Sequence, residues 1–319
     1  MSAPRIVVVG SYATGLTMKS ARIPCAGETL LGTGYRVDFG GKGSNQAVGC
    51  ARLGAQVDFV ASIGQDSFGD MAAGLYLDEG IGTNFVKRSV EAPTGVGFIV
   101  VETSSGHNCI VLDPGANELL RAADVSAAFA MLGSPKVVLT QLEIPVDAAT
   151  SALSEGRAAG AVTILNPAPV RSLPGSVFAS IDILVPNETE AKVLAGYLPD
   201  STVAPHTVGQ NLLARGVKDL VMTLGETGAL LMNASSEKLF PAVDVRAVDT
   251  TGAGDAFNAG LAVALAHGDS IVEAVEFAII TGAMAVTRNG VVPSLPRRDE
   301  VVEFCRMRAI SAPRWLKPD

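Results

Sequence analysis

Residues 248–260 read VDTTGAGDAFNAG, a glycine-rich turn that leads into an apolar segment. Glycine adopts backbone dihedral angles that a Cβ forbids, so the GAG run allows a sharp turn. The small apolar residues after Asp255 predict a buried helix. The first N–H groups of such a helix lack internal partners and lie at the positive end of its dipole, which favours an anion site. Asp255 could instead be an ordinary N-cap, and this stretch alone leaves both interpretations open.

The composition favours a large α/β protein. Of the 319 residues 48% are hydrophobic but only 5% aromatic, which suits helices packed on a parallel sheet. The formal net charge is −8 and no basic block interrupts the chain, so we expect no nucleic-acid partner and no membrane surface. The longest apolar stretch, 277–286, is too short to span a bilayer, and no leader-like series opens the chain. We therefore expect a cytoplasmic protein.

The cysteines and histidines are scattered along the chain. The four cysteines lie far apart with no paired spacing, which disfavours a zinc site or a disulfide framework. The three histidines are equally dispersed, and no local pattern predicts a serine or cysteine triad. The chemistry of this chain is therefore expected from other residue types.

Strand-like and helix-like segments alternate along much of the chain. Apolar runs predict strands at 5–11, 57–64, 136–143, 161–169, 182–187 and 219–225. Helical compositions lie at 44–54, 68–80, 147–160 and 188–196. This alternation predicts an α/β fold with a mostly parallel sheet and helices on both faces. Ligand sites of such folds lie at the carboxyl ends of the strands, where Glu143, Asn166, Asn187 and Gly225 fall.

Two segments break this alternation. Residues 12–40 and about 95–112 read as short strands and turns with no helix between them. They predict a small β-rich lid over a cleft. Because the chain shows no internal repeat, low-complexity segment or obvious linker, residues 1–319 are predicted to form a single domain.

Two further motifs carry ligand-binding chemistry. In FGGKGSNQAVGCARLG (39–54) the glycines let the backbone approach a ligand, Lys42 offers a cation, and Asn45 can donate and accept; a tight turn into a helix is the alternative. The acids of VPNETEA (185–191) could stabilise a helix dipole or hold water around Mg²⁺. Gly43 follows Lys42, so a Walker phosphate loop is absent, and the first strand lacks the dinucleotide fingerprint.

Together these stretches resemble the ribokinase-like (PfkB) family of carbohydrate kinases, ribokinases most closely, over nearly the whole chain. GGKGSNQA and DTTGAGDAFNAG match the two family signatures. The other matches occur between and after them in the order expected of a ribokinase: QLE (141–143), LNPAP (165–169), PNETEA (186–191), TLGETG (223–228) and VTRNGVVPS (286–294).

The resemblance implies ATP-dependent phosphorylation of the terminal hydroxymethyl group of a sugar, and it gives roles to the matching residues. Asp255 would be the general base, and the amides of Gly252, Ala253 and Gly254 would stabilise the transferring phosphoryl group. The sugar would face Gly41, Lys42, Asn45 and Glu143. The nucleotide would border Asn187, Thr223, Gly225 and Gly228.

The resemblance also implies cations and an assembly. Asn187 and Glu190 would order Mg²⁺ through water. A K⁺ ion beside the anion hole would lie near Asp249, Thr251, Ala285, Arg288, Gly290 and Ser294. Members of the family often pair through their lids, so a homodimer is expected; open strand edges in the β-rich segments would favour such association.

The chain departs from the family pattern in one place. Ribokinases usually carry Asn-x-Asp after the first Gly-Ser, and the Asp holds two sugar hydroxyls; here Ala13 and Gly15 fall at those positions. D-ribose, giving D-ribose 5-phosphate, is the default substrate. The alternatives are a nucleoside or a sugar that lacks the 2,3-diol contact, and a non-catalytic sugar-binding regulator, against which the retained Asp255 argues.

The space left by the missing Asp has two candidate occupants. Tyr12 and Thr14 are close enough in sequence to line it, although strand alternation could turn Tyr12 away. Alternatively Asp38 or Asn108 of the lid takes over the lost contact, and ribose remains the substrate.

Overall fold

The computed structural model describes residues 3–316, so residues 1–2 and 317–319 of the predicted domain lie outside the described residues. The strands are β1 Arg5–Val9, β2 Ala13–Ser20, β3 Thr33–Gly40, β4 Gln56–Gly64, β5 Gly82–Ser89, β6 Gly95–Glu102, β7 Asn108–Asp113, β8 Val137–Thr140, β9 Val162–Leu165, β10 Ile183–Leu184, β11 Asp219–Thr223, β12 Ala229–Asn233 and β13 Glu237–Phe240. The helices are α1 Lys42–Arg52, α2 Ser67–Asp78, α3 Ala122–Met131, α4 Val146–Ala158, α5 Glu188–Leu194, α6 Pro205–Leu213, α7 Ala253–Ala266, α8 Ile271–Ala285, α9 Val291–Ser294 and α10 Arg298–Met307.

Nine strands form the main sheet in the order β13-β12-β11-β10-β9-β8-β1-β4-β5. Every pairing from β11 to β5 is parallel, and β12 and β13 add an antiparallel edge. The predicted α/β fold with a mostly parallel sheet is therefore confirmed. The antiparallel edge was not predicted from the sequence.

Helices cover both faces of this sheet, as predicted. Side chains alternate between faces along a strand, and in β1 Ile6 and Val8 join one apolar cluster whereas Val7 and Val9 join the other. Residues of α1, α2, α7, α8 and α10 complete the first cluster, and residues of α3, α4, α5 and α6 complete the second. Burial on both faces explains why the strands read as continuous apolar runs.

A second, four-stranded sheet has the order β3-β2-β6-β7. Its strands lie almost entirely within the segments from which the sequence predicts a lid. Several apolar side chains of this sheet are exposed, among them Phe98, Ile110, Val111 and Leu112. Closure of this sheet over a cleft stays a prediction.

The sheet brings several loops to one edge, because the carboxyl ends of parallel strands point the same way. Ser11 follows β1, Glu143 follows β8, Asn166 follows β9 and Asn187 follows β10. The N–H of Ser44 donates to the carbonyl of Ser11 at 2.8 Å, which ties the start of α1 to this edge. In the part of the chain described here, none of the helices has the length and apolar character needed to cross a membrane.

Candidate active site

The glycine-rich turn of residues 250–254 forms a sharp corner before α7. Gly252 is the N-cap of this helix in a left-handed conformation, with φ 84°, and no side chain among the described residues caps it. A Cβ at Gly252 would lie 2.7 Å from Cγ1 of Val291, so the close approach of the two segments also requires glycine. Asp255 is thus not the cap of its helix. Its carboxylate lies in the first turn and is held by other residues.

Asp255 is buried, with 6% of its surface exposed, and α1 supplies its partners. Nδ2 of Asn45 donates to Oδ2 at 2.8 Å, and Nε2 of Gln46 donates to Oδ1 at 2.9 Å. Burial raises the pKa of Asp255, and the charge of Lys42 and the two amide donors offset part of that effect. A carboxylate in this setting is a stronger base than an exposed one.

Lys42, Gly41 and Glu143 meet on the other side of this carboxylate. Gly41 has φ 88°, and a Cβ there would lie 2.6 Å from Cα of Tyr12. Oε2 of Glu143 accepts from the N–H of Lys42 at 2.8 Å and from Oγ of Ser11 at 2.5 Å. Burial lowers the pKa of Lys42, but the charges of Asp255 and Glu143 raise it above its ordinary value. Lys42 therefore stays cationic beside Asp255.

Two cavities meet at the start of α7. A cavity of about 220 Å³ is lined by Lys42, Asn166, Asn187, Glu190, Asp255 and Asn258, among others. A larger one, of about 860 Å³, extends past Gly225 and Gly228 to an apolar end formed by Val243, Phe257, Ile279, Ala283 and Val286. Both cavities are bordered by Asn187, Thr223, Thr250 and Gly254. Two molecules bound in the two cavities would thus touch at the glycine-rich corner.

Asn187 and Glu190 form a capping box at the start of α5. Oδ1 of Asn187 accepts from the N–H of Glu190, and Oε2 of Glu190 accepts from the N–H of Asn187, each at 2.8 Å. Burial raises the pKa of Glu190, and Lys42 counters this in part. Both residues also border the smaller cavity, so the capping role and a ligand role coexist. Among residues 3–316 no three His, Cys, Asp or Glu side chains cluster as a metal site.

The residues expected to hold K⁺ are only partly brought together by direct contacts. Oδ1 of Asp249 accepts from the N–H of Thr251 at 2.9 Å, and Oδ2 accepts from the N–H of Gly290 at 3.0 Å. Burial acts to raise the pKa of Asp249, but these N–H donors lower it below its ordinary value. Asp249 thereby joins the segment before the glycine-rich corner to the one after α8.

The remaining K⁺ candidates bond within their own neighbourhood. The N–H of Arg288 donates to the carbonyl of Ala285 at 3.3 Å, and the Arg288 guanidinium pairs with Glu300 at 2.8 Å. Oγ of Ser294 donates to the carbonyl of Val291 at 2.7 Å, within α9. Any ion here would therefore depend mainly on main-chain carbonyls.

Sequence reasoning did not assign several polar residues at this site. Gln46 contacts Asp255 directly and in turn contacts Gln141 and Asn166. Asn258 lines the smaller cavity one helical turn beyond Asp255. Two signals could have found them: Gln46 directly follows Asn45 in the GGKGSNQA motif, and the i, i+3 spacing puts Asn258 on the face of Asp255.

Gly15 lies in the four-stranded sheet, opposite Asp38 of β3. A Cβ there would meet the carbonyl of Asp38 and Cδ1 of Ile99 at 3.7 Å, so the position has room for a side chain. The hypothesis that Tyr12 and Thr14 line this space is wrong. Both are fully buried. Tyr12 packs in the main core, and its hydroxyl group lies 3.1 Å from that of Thr14.

The two lid residues suggested as replacements differ in position. Asp38 is the register neighbour of Gly15 and forms an ion pair with Arg36 at 3.4 Å. Asn108 pairs with Val101, four residues along β6 from Gly97, the residue beside Gly15. At the usual rise per residue this is roughly 13 Å away. Of the two, only Asp38 adjoins the space at Gly15.

Comparison with known proteins agrees with this architecture. The model of the pfkB family carbohydrate kinases matches residues 3–298. Ribokinase of Haemophilus influenzae is 36% identical over 299 residues, which are 94% of this chain and 97% of that relative. Deoxyribokinase of Salmonella typhi is 33% identical over 300 residues, 94% of this chain and 98% of that relative.

A solved structure is similar over the same extent. The structure of Arabidopsis thaliana ribokinase complexed with ribose and ATP has a TM-score of 0.87 and 30% identity, and the match covers 95% of this chain and 98% of that one. The chain belongs to the pfkB family of carbohydrate kinases. The family resemblance read from the sequence motifs is thereby confirmed.

Proposed function

We propose that the protein transfers the γ-phosphoryl group of ATP to the terminal hydroxymethyl group of a pentose, with D-ribose as the default substrate and D-ribose 5-phosphate as the product. Family membership and the ribokinase relatives support the sugar kinase activity. The observation that carries the proposal is the buried carboxylate of Asp255, at the point where a small polar cavity meets a large one with an apolar end.

The proposed mechanism assigns the proton transfer to Asp255. The sugar binds beside Lys42, which lines the smaller cavity, and beside Gly41, Asn45 and Glu143, which are not among the residues lining that cavity, with its terminal hydroxyl next to the carboxylate. Asp255 takes the hydroxyl proton as the oxygen attacks the γ-phosphorus. The leaving group is ADP. Phosphoryl transfer depends mainly on positioning and on stabilising the charge of the transferring group.

The start of α7 supplies that stabilisation. In the proposed mechanism the N–H groups of Gly252, Ala253 and Gly254 stabilise the transferring group, where the helix dipole favours negative charge. The N–H of Ala253 donates to the carbonyl of Thr250 at 3.3 Å in this structure and would exchange that partner for the phosphoryl group. Lys42 adds a cation in the same cavity. The nucleotide lies in the larger cavity, with its phosphates along Thr223, Gly225 and Gly228 and its flat base between apolar side chains.

Mg²⁺ and K⁺ complete the proposal. The smaller cavity is lined by Asn187 and Glu190, and the buried Oδ1 of Asn258 has no hydrogen-bond partner among the described residues. Such a donor set fits Mg²⁺, which prefers oxygen ligands and retained waters. Asn187 and Glu190 would hold Mg²⁺ through water, and the ion would neutralise phosphate charge. Carbonyl oxygens of residues 249–251 and 285–290, with Ser294, would hold K⁺.

A second substrate, 2-deoxyribose, is favoured by one observation. A Cβ at Gly15 would make only ordinary contacts, at 3.7 Å or more, where ribokinases usually have an Asp that holds two sugar hydroxyls, and a deoxyribokinase is among the relatives of this chain. A site that hydrogen-bonds a hydroxyl rejects analogues lacking it, because its polar groups stay unpaired. Without that Asp, and with the adjoining Asp38 paired to Arg36, the penalty for 2-deoxyribose becomes small.

The proposal that 2-deoxyribose is a second substrate is tested by Gly15→Asp. We expect the native enzyme to discriminate less than about 10-fold between ribose and 2-deoxyribose in kcat/KM, and Gly15→Asp to favour ribose, since a lost hydroxyl contact in a hydrogen-bonding site is costly. Gly15→Leu, which fills the space without an acceptor, is the control. A strong native preference for ribose that Gly15→Asp abolishes would contradict the proposal. If none of the sugars and nucleosides tested causes ADP release, the kinase function itself is contradicted.

Two coarser properties accompany this function. A cytoplasmic location is proposed because ATP, the phosphoryl donor, is abundant there. A homodimer through the four-stranded sheet is proposed because its apolar side chains, Phe98 and Val111 among them, are exposed in the single chain.

A further inference from the structure

Behind the carboxylate of Asp255 lies a chain of three amide side chains, Gln46, Gln141 and Asn166, here called the amide chain. Gln46 and Gln141 are fully buried, and Asn166 is 7% exposed. Nε2 of Gln46 donates to Oδ1 of Asp255 at 2.9 Å and to Oδ1 of Asn166 at 3.2 Å. Oε1 of Gln46 accepts from Nε2 of Gln141 at 2.5 Å. Gln141, after β8, and Asn166, after β9, thus both contact Gln46 of α1, which alone of the three contacts the carboxylate.

The orientation of every amide in this chain follows from one backbone group. Nδ2 of Asn166 donates to the carbonyl of Val185 at 2.9 Å, and a carbonyl can only accept. Asn166 must therefore turn Oδ1 toward Gln46, so Gln46 must present Nε2. The oxygen of Gln46 then faces Gln141, which must present its own Nε2. A donor rather than an oxygen is consequently directed at Asp255.

We propose that Gln46 is a positioning residue for phosphoryl transfer, which clamps Oδ1 of Asp255 in one orientation, and that Gln141 and Asn166 act through Gln46. The inference rests on the proposed role of Asp255 as the general base. The hydrogen bond from Gln46, here called the clamp, fixes the plane of the Asp255 carboxylate, so that the remaining lone pairs of the carboxylate face the smaller cavity. Small displacements of a reacting group are costly to rate, because the attacking atoms must be aligned.

The charges around Asp255 set the direction of the pH effect. Lys42 faces it with a positive charge, and Glu143 and Glu190 with negative ones. Burial raises the pKa of Asp255, and the donor from Gln46 lowers it. Loss of that donor leaves the pKa higher. Because the base must be ionised, the loss of activity on acidification would then begin at a higher pH than in the native protein.

The test uses Gln46→Met, Gln141→Met and Gln141→Glu. We expect Gln46→Met to lower kcat roughly 10- to 100-fold, the cost of a misplaced reacting group, with both KM values within about threefold of native. The acid limb of its kcat–pH profile should move to higher pH. An ionised Gln141→Glu cannot donate to Oε1 of Gln46, so the clamp loosens, while Asn166 still fixes which atom of Gln46 faces Asp255. It should shift the limb in the same direction, partly through its own negative charge. Gln141→Met, which removes the donor without adding a charge, should give a smaller shift of the same sign.

The control is Thr163→Val, on β9 and away from the site. It removes the hydrogen bonds from Oγ1 of Thr163 to Asp182 and to the carbonyl of Ser180. It should lower the melting temperature and leave the pH profile unchanged. Native kcat and an unmoved acid limb in Gln46→Met and Gln141→Glu, per folded molecule, would overturn the proposal. So would a raised sugar KM with native kcat, which would make Gln46 a substrate contact.

A readout independent of turnover separates this inference from the proposed function. The carboxylate infrared band lost in Asp255→Asn reports the titration of Asp255. Its midpoint should rise in Gln46→Met and Gln141→Glu. If no sugar is phosphorylated, the function fails while this shift still tests the clamp. If Gln46→Met does not fold, Gln141→Met, which releases Oε1 of Gln46 and so loosens its donor to Asp255, still has to raise the midpoint.

Discussion

At the scale of single residues, Asp255 has two requirements that conflict. Burial strengthens it as the proposed base, yet a buried charge needs partners. Asn45 and Gln46 supply one donor to each carboxylate oxygen, and Lys42 supplies an opposite charge. The site thereby keeps a carboxylate at low exposure without leaving it unpaired. The same contacts make the effect of substituting this residue predictable.

Asp255→Asn should keep the fold and ATP binding but lower turnover by roughly 10²- to 10⁴-fold, the range for a lost general base. Oδ1 of Asn45 is buried without a partner among the described residues, so the Asn45 amide can turn over and accept from the new amide. Turnover and thermal denaturation measure the two effects. Early melting with native turnover per folded molecule would show that Asp255 has a structural role only.

The partners of Asp255 mark the limit of what the residues themselves predict. Asn45 lies 210 positions away in the chain, and no periodicity relates such distant segments. The family resemblance put Asn45 near the sugar, but not its bond to the carboxylate. Gln46 and Gln141 were missed because a buried glutamine in a helix or after a strand has no composition signal of its own. Their roles become apparent only from their contacts in the folded protein.

At the scale of elements, the prediction was strongest where the hydrophobic pattern decides the structure. The apolar run of β1 predicted a buried strand because both of its faces are covered. The antiparallel strands β12 and β13 and the helix α6 were not predicted; the segments of β13 and α6 are short and mix apolar with polar residues. Sequence alone left open whether Tyr12 lines the space at Gly15 or turns away, because it gives no register, and the sheet turns Tyr12 into the core.

The element next to the glycine-rich corner is α9, which α1 holds in place. Nη1 of Arg52 donates to the carbonyls of Val292 and Leu295, at 2.5 and 3.0 Å, while Glu79 binds the same guanidinium. Val291 in turn packs against Gly252, where a Cβ would collide with it. A change in the loop before α9 would therefore reach the glycine-rich corner through direct contact.

We accordingly predict that turnover depends on K⁺. A weakly hydrated cation bound by carbonyls near residues 249–251 and 285–290 would fix the corner without touching the sugar. Rates measured with MgATP in K⁺, in Na⁺ and in tetramethylammonium, at one ionic strength, should be highest in K⁺. Equal rates in all three would mean that Asp249, Gly290 and their neighbours only pack a turn.

At the scale of the whole molecule, the small sheet is the part of the fold with the least cover. Phe98, Ile110, Val111 and Leu112 are each about half exposed or more. Its outer strands, β3 and β7, present unpaired edges. Exposed apolar side chains beside open strand edges are typical of an association surface. The main sheet, by contrast, has helices on both faces.

We therefore expect a homodimer that pairs two small sheets, and light scattering at micromolar concentration should give twice the mass of one chain. Ile110→Asp should give the mass of one chain, because a carboxylate in an apolar interface would lose its water. Leu77→Asp is the matched control, since Leu77 is also exposed but lies on α2 of the main body; its mass should stay that of a dimer. A native mass near that of one chain would contradict the expectation, and a dimer that survives Ile110→Asp would place the contact elsewhere.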